Sequence, residues 1–343
     1  MNFKNLESDF SIRYNTKTKP CFAYSGTPLY ILGDLSFPRC GHSLITAVSS
    51  GSAIAMTNTC SDYSIQQTSD NLIFSCDEKN LLSYSEKNYA APIFHAIYYL
   101  NSYFKIDSKG LNILYEHNTN TKGFHNYLSP LISAFLKLFP DSSPEDVLKS
   151  LSSMKFSKRD YLSLMATLSL NKGHIILADN LSLITKDYLL PTSDTKIIII
   201  KTDQKPKRLF ADFSPTTDSD QLTPHQQRIL SFFIKEEWRI LKYPEIANSS
   251  EFYGLVNDSC EDLLSLIDAP HITLLTKIVR NSSTLCSRPI LNSSSIYAIV
   301  PDPDVDKFID YVGLEHEKKA GYKPTFYITD TCDSGIKSHI ETE

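Results

Sequence analysis

The sequence predicts an α+β fold with two domains. The chain has 343 residues, and the usual size of roughly 150 residues per domain favours about two of them. Short β-branched runs alternate along the chain with longer segments whose apolar residues follow helical spacing. Hydrophobic residues make up 41% and charged residues 21%, which is the balance of a globular chain able to bury a core.

In the N-terminal half, aliphatic and β-branched runs predict the strands, and the aromatic-rich segment APIFHAIYYLNSYF predicts a helix. Two further helices have start signals. Ser143 is a predicted N-cap with Pro144 at the first helical position and Asp146 three residues after the cap. Ser157 and Asp160 repeat this pattern. The predicted strands are PLYILGD, HSLITAVSSGSAIAM, LNILYEH, GHIILADN, DYLLP and KIIIIKT.

The C-terminal half begins with a long helix from about Ile229, RILSFFIKEEWRILKY, and ends with a strand, a turn, a helix and a strand. On the long helix we expect Glu236 and Glu237 to lie on the solvated face and Trp238 to be partly buried. A boundary near residues 191–196 divides the chain into predicted domains 1–193 and 194–343.

Composition excludes several classes of protein. The net charge of −5 comes from mixed signs without a basic block, so no nucleic-acid partner is expected. The longest aliphatic run, Ile197 to Ile200, is far shorter than the roughly 20 residues that span a bilayer, so no membrane partner is expected. The seven cysteines include no C-x-x-C pair, which favours a reduced, cytoplasmic location. No metal centre is predicted.

Glycine is scarce, with 11 residues, about half the usual share of roughly 7%. Neither G-x-G-x-x-G nor G-x-x-x-x-G-K-[ST] occurs, although backbone amides that grip a polyphosphate usually need glycine nearby. The stretch NTNTKGFHNYLSPLISAFLKLF, residues 118–139, nevertheless predicts a loop that opens a helix, which is a common place to bind phosphate.

Four collinear segments of the chain carry a resemblance to one family. The segments are GDLSFPRCGHSLITAVSSGSAIAM, GLNILYEHNTNTKG, LMATLSLNKGHIILADNLSLITKDYLLP and SIYAIVPDPDVDKFIDYVGLEHEKKAGYKPTFYITDTCDSG. They resemble galactokinases, a branch of the GHMP kinase superfamily, and the resemblance covers nearly the whole chain. It implies a two-domain α+β fold: an N-terminal mixed α/β domain with a helix-start loop and a C-terminal ferredoxin-like α+β domain.

The phosphate loop implied by this resemblance is altered. The family's GLSSSAA corresponds to GFHNYLS here, and its remnant consists of Gly123, His125, Asn126 and Ser129. Because proline is costly inside a helix, we expect Ser129 to be the N-cap and Pro130 the first helical residue. The helix would then begin four or five residues later than in the family, and its free amides would miss the phosphate.

The family's other reacting groups are also replaced. The arginine of the motif P-G-R-V-N-L-I-G-E-H-T-D corresponds to Pro28, its histidine to Leu35 and its last aspartate to Phe37. The catalytic aspartate corresponds to Ser163, and the late glycine loop corresponds to residues 289–294, PILNSS. The loss of a positioned base typically lowers a rate by 10² to 10⁴-fold, as an order of magnitude.

A few residues have side chains that could contact a ligand or act on it. Asp34 corresponds to the family's sugar-binding glutamate, and it is either a sugar contact or a solvent-facing acid in a turn. Arg39 and His42 lie in the same loop and could bind an anion, or could be ordinary surface residues. Asp160 lies one helical turn before Ser163 and could replace the missing base, or could cap its helix with Ser157.

The leading hypothesis is a galactokinase-like protein that has lost catalysis, a pseudoenzyme that senses a sugar or sugar phosphate or binds a protein partner. It needs no cofactor. The alternative is an active ATP-dependent sugar 1-kinase with a changed substrate and nucleotide pocket, which would use ATP and Mg²⁺. A third possibility is a structural subunit beside an active enzyme.

Overall fold

The computed structural model describes residues 3–34, 41–59, 61–69, 72–85, 88–106, 110–117, 125–138, 141, 143–154, 157–191, 193–204, 222–247, 249–290 and 293–334. The fold is α+β, as predicted. It divides into two compact units: the first comprises residues 1–28, 49–172 and 332–343, and the second comprises residues 29–48 and 173–331.

In the first unit, the strands pair in the order β4, β3, β5, β2. The pair β3–β5 is parallel, whereas β3–β4 and β5–β2 are antiparallel, with residues 52–58 of β2 opposite residues 111–117 of β5. The strands are β1 (Cys21–Leu32), β2 (His42–Asn58), β3 (Tyr63–Gln67), β4 (Ile73–Cys76) and β5 (Leu111–His117), and β1 also pairs with β2.

The second to fifth helices of the first unit bury one apolar face against a common core, whereas Leu6 and Phe10 of the first helix lie in a separate buried cluster. Phe94 and Ile97 of the second helix, Leu131 of the third and Leu164 of the fifth are fully buried there. The helices are α1 (Phe3–Tyr14), α2 (Ala90–Phe104), α3 (His125–Leu138), α4 (Pro144–Ser150) and α5 (Lys158–Ser169).

In the second unit, the first residues of β2 pair antiparallel with β6 (His174–Asp179), which pairs with β7 (Thr185–Leu189). A separate four-stranded antiparallel sheet has the order β11, β8, β10, β9. Its strands are β8 (Thr195–Lys201), β9 (Cys286–Ile290), β10 (Ser295–Pro301) and β11 (Thr325–Thr329).

The described residues of the second unit include the helices α6 (Pro224–Ile246), α7 (Glu251–Leu264), α8 (Pro270–Arg280) and α9 (Val305–Ala320). The sequence assigns residues 29–48 and 173–193 to the N-terminal domain, but they lie in the second compact unit. The reason is apolar packing, because Ile31, Leu44 and Ile175 share one buried cluster with Ile240 of α6 and Tyr297 of β10. The boundary after residue 193 remains a prediction.

Within the described residues, no helix combines the length and the apolar character needed to cross a membrane.

Candidate functional site

The second unit contains a buried polar cluster that begins where β1 ends. Gly33 has a φ of +79°, and a Cβ atom there would lie 2.4 Å from the carbonyl oxygen of His42. Only glycine accepts both the left-handed backbone and this close approach. The turn directs the next residue, Asp34, into the protein, where it is only 4% exposed.

Arg288 of β9 is the centre of this cluster, and its side chain is fully buried. One guanidinium nitrogen, Nη2, lies 2.9 Å from Oδ1 of Asp34 and 3.2 Å from Oε1 of Glu236. Its Nε donates a hydrogen bond of 3.0 Å to the hydroxyl of Ser259 on α7. The guanidinium therefore joins the end of β1, α6, α7 and β9 through charged hydrogen bonds.

Glu236 completes the cluster from α6. Its Oε1 accepts a 3.1 Å hydrogen bond from the backbone N–H of Gly33, and its Oε2 accepts one of 2.7 Å from Ser259. The prediction that Glu236 lies on the solvated face is therefore wrong. It follows Phe232 and precedes Ile240 at four-residue spacing, and this spacing places it on the buried face of the helix.

The charges extend from the cluster toward the surface. Arg239 lies 3.5 Å from Glu236 and also pairs closely with Asp262, whose carboxylate lies 3.2 Å from Lys235. Burial raises the pKa of Asp262, but hydrogen bonds from Arg239 and Lys235 outweigh it, and the pKa lies below its ordinary value.

Electrostatics in the cluster favour the charged form of Arg288. Burial alone would lower the pKa of Arg288, but the carboxylates of Asp34 and Glu236 outweigh that effect, and its pKa lies above the ordinary value. Breaking such a buried pair by removing one partner typically costs about 3–5 kcal/mol. Asp34 is thus a buried member of an ion cluster, and of its two alternative roles the solvent-facing turn acid is wrong, whereas the sugar contact remains a prediction.

His42, another predicted ligand-binding residue, starts β2 and contacts α6. Its backbone N–H donates to Oε2 of Glu237 at 2.8 Å, and its ring Nδ1 lies 2.5 Å from Oε1 of the same carboxylate. Both side chains are roughly 30% exposed, at 28% and 31%. Glu237 is therefore partly exposed, as expected, and its carboxylate also binds the backbone N–H and the ring of His42. Arg39, Leu35 and Phe37 lie outside the described residues.

The predicted late start of the helix after the phosphate-loop remnant is wrong. Helix α3 already begins at His125, so Pro130 lies inside it and Ser129 is not an N-cap. Proline is tolerated because Pro130 is buried in the second turn, where its ring removes one backbone hydrogen bond but adds to the core. The backbone of His125 and Asn126 forms the first turn of this helix, and Gly123 lies outside the described residues.

Tyr127, at the place of one of the family's loop serines, points into an aromatic cluster of the first unit. Its ring stacks on Tyr89 with centroids 5.3 Å apart and meets His117 edge-on at 4.6 Å. His117 ends β5, and its Nδ1 lies 2.7 Å from the hydroxyl of Ser52 on the neighbouring strand. Burial lowers the pKa of His117 to about 4, so the imidazole is neutral at pH 7.

Ser163, which the resemblance aligns with the family's catalytic aspartate, is a buried residue. Ser163 of α5 is 2% exposed. One turn later, the hydroxyl of Thr167 forms a short hydrogen bond with the hydroxyl of Ser129 and lies 3.2 Å from the carbonyl oxygen of Ser163. Hydroxyl groups thus bond to one another and to the backbone in this part of the contact between α3 and α5. None of these three side chains is acidic.

Asp160 has the predicted capping geometry. Its backbone N–H donates a 3.1 Å hydrogen bond to the hydroxyl of Ser157, which donates in turn to Oδ2 of Asp160 at 2.6 Å. Ser143 and Asp146 repeat this arrangement at the start of α4, with distances of 3.1 and 2.7 Å. Both predicted helix starts are confirmed.

The remaining replacements are part of regular structure. Pro28 lies within β1, and Pro289 lies within β9 opposite Ile296 of β10. The described residues contain no group of three or more His, Cys, Asp or Glu side chains arranged to hold a metal ion.

The sequence interpretation did not identify Arg288 as a site residue. One signal was present: an arginine between Ser287 and Pro289 in a strand of otherwise small or apolar residues must find a partner if the strand is buried. The sequence interpretation also missed the cluster around Tyr127 and His117. Its members come from β5, from Tyr89 just before α2 and from α3, and no local pattern connects them.

Comparisons with solved structures show which fold this is. It is the fold of galactokinases and mevalonate kinases. Galactokinase of Lactococcus lactis, solved with galactose, has a TM-score of 0.75 and 15% sequence identity, and the match covers 97% of this chain and 98% of that chain.

Two mevalonate kinases are also similar. The enzyme of Methanococcus jannaschii has a TM-score of 0.66 and 11% identity over 93% of this chain and 100% of that chain. Mevalonate-3-kinase of Thermoplasma acidophilum, with mevalonate bound, has a TM-score of 0.57 and 15% identity over 92% and 97%. No sequence model of a protein family matches this chain. No curated protein sequence matches it either.

Proposed function

We propose that this chain is a galactokinase-like protein that has given up phosphoryl transfer and acts by binding, as a cytoplasmic sensor of a carbohydrate ligand. The observation that carries the proposal is the buried serine at position 163. Phosphoryl transfer to a hydroxyl needs a group that orients or deprotonates that hydroxyl, and the kinase resemblance places this role at Ser163. A serine that is 2% exposed among other hydroxyls cannot serve as a carboxylate base.

Two further contacts support the loss of catalysis. Tyr127 fills the aromatic cluster with its ring, where the family has a small hydroxyl-bearing residue at a phosphate-binding loop. The carboxylate of Asp34 is neutralised by Arg288 within the protein, which lowers its capacity to accept hydrogen bonds from a sugar. Side chains at the corresponding positions thus stabilise the fold instead of holding substrates.

A carbohydrate is the ligand class to test first, because the similar galactokinase structure contains galactose. With Asp34 engaged, the partly exposed groups His42 and Glu237 are candidates to contact a sugar hydroxyl. The cysteines Cys21, Cys76, Cys260, Cys286 and Cys332 are free thiols, which supports a reducing compartment.

An active ATP-dependent sugar kinase is the second candidate, and one observation favours it. Helix α3 begins at His125, within the loop remnant, so its first backbone N–H groups are not displaced along the chain as the sequence suggested. A helix start in this position can bind a nucleotide phosphate. In that case Asp160 would act as the base, and Mg²⁺ would accompany ATP.

The experiment combines thermal shift with a phosphoryl-transfer assay. The wild-type protein is mixed with a panel of sugars and sugar phosphates, with and without ATP and Mg²⁺. Stabilisation by a sugar without turnover is the expected result. Asp160→Ala is compared with Asp146→Ala, its matched control, because both aspartates occupy the same capping position.

Phosphorylation of a sugar that disappears in Asp160→Ala and persists in Asp146→Ala would overturn the proposal and establish the kinase. Equal melting temperatures of the two variants, with no turnover in wild type, support a capping role for Asp160. Absence of any sugar-induced shift would overturn the carbohydrate-sensor part.

A further inference from the structure

The outer face of α6 carries an apolar stripe that its own unit does not cover. Ile234 is 64% exposed, Trp238 60% and Leu241 49%. They are four and three residues apart, so they form one continuous row on the helix. The inner face of the same helix is buried, with Phe232, Phe233 and Ile240 among its core residues. Exposed rows of large apolar side chains are typical of interaction surfaces.

The stripe fits a heptad pattern, which is the pattern of helices that pair side by side. Spacings of three and four place Ser231, Trp238 and Glu245 at the a positions and Ile234 and Leu241 at the d positions. We call these five residues the α6 seam. Helix α6 has 23 residues and is about 35 Å long, and the seam covers its C-terminal two thirds.

The two edges of the α6 seam carry side chains of opposite charge. One edge carries Arg228, Lys235 and Lys242 at seven-residue spacing, which are the e positions. The other edge carries Glu237 at a g position. In a parallel two-stranded coiled coil, a g residue meets the e residue five positions later in the partner helix. Glu237 and Lys242 have this spacing and opposite charges.

Lys242 and Glu237 already form ion pairs within the chain, and each can still bind an oppositely charged group of a partner. Lys242 lies 3.6 Å from Glu251 and 5.4 Å from the centre of the Trp238 ring, and its side chain is 32% exposed. Glu237 holds His42, but a carboxylate offers about four acceptor sites. An antiparallel pairing would instead place the basic edge of one helix against the basic edge of the other, which is unfavourable.

We propose that the α6 seam binds the α6 seam of a second copy of this chain, with the two helices parallel and the two-fold axis along them. Ile234, Trp238 and Leu241 then pack against the same residues of the second copy. Glu237 of each chain pairs with Lys242 of the other. This inference does not depend on whether the protein transfers phosphate. A seam of this length buries a small area, so a dissociation constant on the order of micromolar is expected.

The first test is the mass in solution, measured by light scattering and sedimentation over about 1–100 µM, a range around that micromolar constant. We expect the mass to rise with concentration toward twice the 38.8 kDa of one chain. Trp238 is the only tryptophan, so its emission should shift to shorter wavelength over the same range. Ile234→Glu should weaken association at least about tenfold, whereas Leu314→Glu, at a 51% exposed site on α9, should not.

The second test determines the orientation and remains informative if the first variant folds poorly. Leu241→Cys should form a disulfide-linked dimer under mild oxidation, because position 241 meets itself only in the parallel arrangement. Glu237→Lys and Lys242→Glu should each weaken association, and the double variant should restore it. A monomer at every concentration overturns the proposal. Cross-linking only in a mixture of Ile234→Cys and Leu241→Cys chains overturns the parallel arrangement.

Discussion

The guanidinium of Arg288 lies 2.9 Å from the carboxylate of Asp34, although the two residues are 254 positions apart in the chain. Both side chains are almost completely buried, with 0% and 2% exposure. Together with Glu236 they form a charged core inside the second unit. This contact gives Asp34, which the resemblance aligns with a sugar-binding glutamate, a charged partner inside the protein.

Removal of Arg288 should destabilise the protein strongly. Arg288→Ala leaves the carboxylates of Asp34 and Glu236 buried without their cation, and we expect a loss of about 3–5 kcal/mol in the free energy of unfolding. Urea denaturation measures this loss. Arg280→Ala is the control, because Arg280 pairs with the exposed Glu261 and its loss should cost about 1 kcal/mol or less. Equal losses for the two variants would contradict the role of the buried cluster.

His117 should make the stability fall in mild acid. Its pKa is about 4 in the folded protein and near 6.5 when unfolded, so the unfolded chain binds more protons between these values. The contribution is fully present above pH 6.5 and is lost as the pH falls toward 4, by up to about 3 kcal/mol. We expect His117→Gln to flatten the pH dependence of the free energy of unfolding in this window. His225→Gln, at an exposed site on α6, should leave it unchanged.

Tyr127→Ser, which introduces the family's residue, should destabilise the first unit by roughly 3 kcal/mol. The variant loses the stack on Tyr89 and the edge-on contact with His117, and it opens a cavity. Denaturant unfolding tests this expectation against Tyr98→Ser, which removes a 38% exposed ring from α2. A variant as stable as the control would show that Tyr127 is not needed for packing.

The two helix caps should contribute similar stability. Ser157→Ala and Ser143→Ala each remove a hydroxyl that accepts a backbone N–H at 3.1 Å, and each should cost about 1 kcal/mol. The double variant Ser157→Ala with Asp160→Ala should cost less than the sum of its parts, because the two side chains bond to each other. Additive losses would indicate that Asp160 has another role.

Much of the fold could be predicted from local patterns. The β-branched run at residues 196–202 became β8, and the caps at Ser143 and Ser157 begin α4 and α5 as expected. Helix α1 and the short strands β3 and β4 were not predicted, because their sequences are polar or brief. Their positions depend on pairing with distant strands such as β5.

The site was harder to predict, and the errors have a common cause. The chemical preference of proline placed Pro130 at a helix start, but burial in the core holds it inside α3. Trp238 was expected to be partly buried because large aromatic residues usually are, and yet it is 60% exposed. Propensity describes the average environment of a residue type, whereas packing against particular neighbours determines the environment at one position.

Periodicity and capping signals determined the α+β class and most of the elements, because they act between residues within a few positions of each other. Only the tertiary structure revealed that Asp34 meets Arg288, that Glu236 is buried, and that the α6 seam is exposed. These outcomes depend on which distant segments bury one another's charges and apolar surface. No signal within a single segment carries that information.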